Sequence, residues 1–127
     1  MKQISEEIVL EYLKKSKIEL KSTHVLLCFP IINRIYKKMS IGIKFPSIKV
    51  DGDLIIDGHH RYLASLLAGT NLDTIPSSKT SATVVYDWDT VIIATDDWDT
   101  DAKIRMLNEK DAKFNAIAIE QITELLK

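Results

Sequence analysis

Asp57-Gly58-His59-His60-Arg61 sets a carboxylate, a glycine, two imidazoles and a guanidinium in five consecutive residues. The apolar run Leu54-Ile55-Ile56 precedes them. Tyr62, Leu63, Leu66 and Leu67 follow at helical spacing, with small Ala64 and Ala68 between and Gly69 at the end. The pattern predicts a strand that gives way directly to a helix over about His59–Ala68. The first N–H groups of such a helix have no partner inside it, and the peptide dipoles add partial positive charge there. Gly58 lets an anion approach the backbone, Arg61 offers a planar fork for phosphate oxygens, and each imidazole can donate a hydrogen bond. Donors, dipole and cation within one helical turn predict an anion site, of the kind that holds the phosphate of a nucleotide. The same residues also fit a plain tight turn with Arg61 solvated. A metal site on His59 and His60 fits less well, because helix neighbours point about 100° apart and ligand pairs favour i, i+3 or i+4.

The elements around this turn can be read from the same rules. Ser5 is placed to cap a helix running to about Lys17, with Glu6 and Glu7 at its positive end, Lys14, Lys15 and Lys17 at the other, and Ile8, Val9 and Tyr12 as its apolar stripe. Val25–Phe29 reads as a buried strand ended by Pro30, and Ile31–Met39 as a helix with Gly42 just beyond it. Ser47–Val50 and Leu54–Ile56 flank Asp51-Gly52, a strong hairpin signal. Thr70–Ser78 reads as a polar loop, and Ala82–Tyr86 and Val91–Ala94 as strands. Thr100 is expected to cap a helix over Asp101–Lys113, and Asn115 a last one carrying Ile119, Ile122, Leu125 and Leu126. No Gly-, Pro- or Ser-rich linker divides the chain, so the expectation is one α+β domain.

Ser47–Gly69, SIKVDGDLIIDGHHRYLASLLAG, resembles the core of the ParB/sulfiredoxin superfamily, and DGHHRY is closest to the form in free-serine-kinase-like members. The resemblance covers about residues 20–70, with a looser extension to Tyr86. It implies a small mixed sheet with helices packed around it, a core over about residues 20–86, and N- and C-terminal helical additions. It further implies that Gly58, His59, His60 and Arg61 contact the phosphates of a nucleotide (ATP, ADP or CTP), that Asp57 lies at the reaction centre, and that an acidic residue near Glu19 serves as a base. A phosphotransferase or NTPase is the activity so implied. Two departures narrow the choice. Sulfiredoxins carry their catalytic cysteine where this chain has His59, and Cys28 does not match that position. The partition proteins carry Gly-Glu-Arg-Arg at the turn and continue into DNA-reading and dimerisation domains for which this chain has no room.

Composition limits the rest. With 127 residues, 46% of them hydrophobic and 28% charged, the chain has the means to fold around one core without disulfides or metal. Cys28 is the sole cysteine and lies in an apolar run, which predicts a buried, inert thiol. No apolar run approaches the roughly 18 residues that span a bilayer, and the N-terminus lacks a secretory pattern, so a cytoplasmic, membrane-free protein is expected. Residues 1–50 hold ten Lys/Arg against four Asp/Glu, and residues 51–127 seven against fourteen. This asymmetry fits a non-catalytic alternative, in which Lys37, Lys38, Lys44 and Lys49 follow DNA or the acidic half meets a basic partner protein, as in an antitoxin or immunity protein. It also fits two halves that interleave on folding. Asp87-Trp88-Asp89-Thr90 recurs as Asp97-Trp98-Asp99-Thr100. Its carboxylates suit Mg²⁺ beside a nucleotide or a protein-binding surface, and equally turns and caps around two core tryptophans.

Overall fold

The segment from Lys21 to Cys28 joins two small sheets. In the computed structural model, which describes residues 2–127, Lys21 bridges Leu54 in parallel and Ser22 bridges Tyr86 in antiparallel fashion. The segment then becomes strand β1 (Leu26–Cys28), which pairs in parallel with β5 (Ile92–Ala94). In the other sheet β2 (Ile48–Asp51) is central, antiparallel to β3 (Leu54–Asp57) and parallel to β4 (Thr74–Pro76). β2 and β3 are joined by the two-residue loop Gly52-Asp53, with Gly52 at φ 59°, the backbone sign that a short hairpin needs.

Five helices among the described residues complete an α+β domain: α1 (Glu6–Lys15), α2 (Phe29–Ser40), α3 (His59–Ala68), α4 (Asp101–Phe114) and α5 (Ile119–Leu125). Ser5 caps α1 by accepting a hydrogen bond from Ile8 N at 3.3 Å, and Thr100 caps α4 through Lys103 N at 3.2 Å. The main core lies between α2, α3 and the β1–β5 sheet, where Leu27, Ile32 and Leu63 are buried with Val9 and Leu13 of α1. Ile48, Ile55 and Tyr62 close a second cluster between the hairpin and α3. A third, Ile43, Ala112 and Ile122, seats the α4–α5 pair on the chain that follows α2. None of these helices is long and apolar enough to cross a membrane.

Several boundaries differ from expectation. α1 stops at Lys15 and buries Val9 and Leu13, while Ile8 faces outward. α2 already begins at Phe29, because Pro30 in a first turn gives up no helical hydrogen bond. The expected loop after α3 contains β4, and the expected strand Ala82–Tyr86 forms no ladder: only Tyr86 bridges, and Val84 and Val85 are exposed. Asn115 ends α4 instead of starting α5. Its amide accepts from Lys44 N at 2.6 Å and donates to Lys44 O at 2.9 Å, pinning the C-terminal helices to the loop after α2.

Candidate functional site

Gly58 is the residue before α3 and lies at φ 106°, ψ 27°, in left-handed geometry. A Cβ there would collide with Ile48, its Cβ only 2.9 Å away, so β2 passes directly beneath the turn. No side chain caps α3, which leaves the amides at its start open. All five residues of the expected site, Asp57 to Arg61, line one cavity of about 910 Å³ between this turn, α2 and α4.

The two histidines also hold the turn in place. His59 is 2% exposed, and its Nε2 accepts a hydrogen bond from Thr23 N at 3.0 Å. His60 Nε2 accepts from Cys28 N at 3.0 Å. Both bonds tie α3 to the chain around β1 and put each ring's proton on Nδ1. His59 Nδ1 is buried with no partner among the described residues, and the exposed His24 ring stacks on His59 at 4.0 Å. Burial, then the neighbouring imidazoles, push His59 down to about 3; burial and then His24 push His60 down to about 4. At neutral pH both rings are uncharged, so the fixed positive charge in the turn is that of Arg61. Its guanidinium donates to Pro46 O at 2.9 Å and Ser47 O at 3.4 Å, and meets Asp57 Oδ2 at 3.4 Å. Asp57 is well exposed at the rim, with 65% of its side chain accessible.

The remaining wall comes from residues outside the Asp57–Arg61 turn. Six Lys/Arg side chains line the cavity against three Asp, in a chain whose formal net charge is −1. Three of the six cations are already paired, Arg61 with Asp57 and two more with acidic residues of the second half. Arg34 donates to both oxygens of Asp97, at 2.6 and 3.0 Å, and to Asp99 at 3.2 Å. Burial works against the Arg34 charge, but the two carboxylates outweigh it and raise its pKa, while Arg34 lowers that of Asp97. Lys38 is buried and bonds Asp111 at 2.7 Å, so it cannot follow a nucleic-acid backbone. Lys49, Lys103 and Lys110 line the cavity in addition. The two α4 lysines, Lys103 and Lys110, were missed at the start: their spacing reads as an ordinary solvated helix face, and only the fold brings it to the cavity that Arg61 also lines.

The Asp-Trp-Asp-Thr copies do different work. Trp88 packs near Tyr62 and donates to Leu20 O at 2.8 Å, whereas Trp98 is 45% exposed and meets His60 edge-on at 5.6 Å. The carboxylates of the second copy clamp Arg34, and no cluster of three or more His, Cys, Asp or Glu suited to a metal occurs among the described residues. Cys28 is fully buried and its Sγ donates to Asp96 O at 3.2 Å. Glu19 is exposed and not among the residues around the cavity. In comparisons with known proteins, no family model, curated protein or solved structure matches the chain.

Proposed function

We propose that the chain binds a nucleotide through its phosphates at the start of α3. The observation that carries this reading is the uncapped helix start behind left-handed Gly58, opening with Arg61 into a cation-rich cavity of nucleotide size. The likeness of DGHHRY to the ParB/sulfiredoxin turn supports the same assignment. The open amides and Arg61 hold the phosphate oxygens, and Lys49, Lys103 and Lys110 offset the charge of a polyphosphate; His59 and His60 keep the turn rigid, and His60 offers a neutral Nδ1–H donor.

Phosphoryl transfer is the chemistry this arrangement favours, since it requires positioning and charge neutralisation above all. Asp57 stands at the rim, where a carboxylate can accept the proton of an incoming hydroxyl, and Mg²⁺ arrives as the nucleotide's own escort. A thermal-shift series with ATP, ADP and CTP, with and without Mg²⁺, tests the binding step. At least one nucleotide raises the melting temperature, and Arg61→Ala removes the rise. An unchanged melting temperature with every nucleotide rules out the reading. Turnover with free serine or another small hydroxyl acceptor, lost in Asp57→Ala, tests the catalytic step separately.

A further inference from the structure

Asn108 lies on the inward stripe of α4, one turn after Ile104 and one before Ala112. An apolar side chain would suit that place. The asparagine is instead 9% exposed, and its Oδ1 is buried without a hydrogen-bond partner among the described residues. A dry amide oxygen is unfavourable unless a donor reaches it, and the cavity that Asn108 lines is where a ligand can bring one once the amide turns toward it. Phe45, Trp98 and Phe114 line the same cavity; Trp98 and Phe114 are 45% and 56% exposed, leaving ring faces on which a planar heterocycle can stack. A smaller cavity of about 380 Å³ also touches Asn108 but has no aromatic side chain in its wall.

We infer that Asn108 reads the base of the bound nucleotide, its Oδ1 accepting a hydrogen bond from an exocyclic amino group such as that of adenine or cytosine. This rests on the phosphate site at α3 and assigns the opposite end of the same ligand. The phosphates are held by backbone and guanidinium at the start of α3, within reach of the exposed α4 lysines, and the base is selected deeper on α4, at buried Asn108. Asn108 is thus a specificity residue.

Calorimetric titration of the full chain tests this with ATP and CTP, their desamino analogues (purine riboside and 2-pyrimidinone riboside triphosphates) and inorganic tripolyphosphate. The expected result is that ATP or CTP binds about tenfold tighter than its desamino counterpart, the loss expected for one unmade hydrogen bond to a buried acceptor. In Asn108→Leu the two become equal, while tripolyphosphate binds as before. Equal affinities of the amino and desamino forms for the wild-type chain, with tripolyphosphate still bound, overturn the role of Asn108 and leave the phosphate site standing. Failure of every probe, tripolyphosphate included, overturns the phosphate site and this inference with it. The analogue comparison uses the wild-type chain and so does not depend on how well the variant folds.

Discussion

At the level of single residues, Gly58 and the two histidines carry the turn. Gly58→Ala would force an alanine to φ 106° and press its methyl against Ile48. Left-handed backbone and overpacking together should lower stability by about 2–4 kcal/mol in urea titration. A loss below about 0.5 kcal/mol would show that the turn can relax. The histidines make stability depend on pH. Their native pKa values, about 3 for His59 and about 4 for His60, lie below the ordinary value of 6.5. Between those limits the unfolded chain binds protons that the native chain does not, so stability falls as pH drops from about 6.5 toward 4. Urea titrations at pH 7 and pH 5 should differ by at least about 1 kcal/mol, with the loss reduced in His60→Gln. Equal stability at both pH values would mean that the rings are not held neutral. The presence of this turn was legible in the sequence because glycine, arginine and helix start are local features. The acceptor role of each Nε2 was not, since the donors Thr23 and Cys28 lie more than thirty residues away in the chain.

At the level of elements, α4 is fixed to α2 by a buried ion pair. Lys38 and Asp111 have 4% and 13% of their side chains exposed. Lys38→Met would leave the carboxylate buried and unpaired, which should destabilise the fold by about 3 kcal/mol or more. Adding Asp111→Leu should recover most of that loss, because an apolar pair of similar volume has no charge to desolvate. If Lys38→Met alone leaves the urea midpoint unchanged, the pair is not what seats α4. The caps on α1 and α4 and the Gly52 hairpin were legible because each is settled within about four residues. β4 was not: Thr74–Pro76 is exposed and owes its strand geometry to pairing with β2, more than twenty residues earlier. Val84 and Val85 misled in the opposite sense, an apolar β-branched pair with no strand opposite it. Asn115 misled because a side chain suited to opening a helix is used instead to fasten Lys44.

Across the whole molecule, the basic first half and the acidic second half meet each other. Arg34 takes Asp97 and Asp99, Lys38 takes Asp111, and Lys21 takes Asp53. Part of the asymmetry of the sequence is therefore consumed inside the fold, and Lys49, Lys103 and Lys110, in no ion pair among the described residues, line the cavity. One wall of that cavity, the Gly58 turn, could be anticipated from the residues alone. The other, made by α4, is tertiary proximity, for which Asn108 within an apolar stripe was the only local sign. Amide-resolved NMR during titration with Mg-ATP or Mg-CTP tests the site most directly. The account predicts that the largest shifts fall on the backbone amides of His59, His60 and Arg61, with smaller ones along the inner face of α4. Shifts spread over the exposed lysines, or none at millimolar nucleotide, would contradict it.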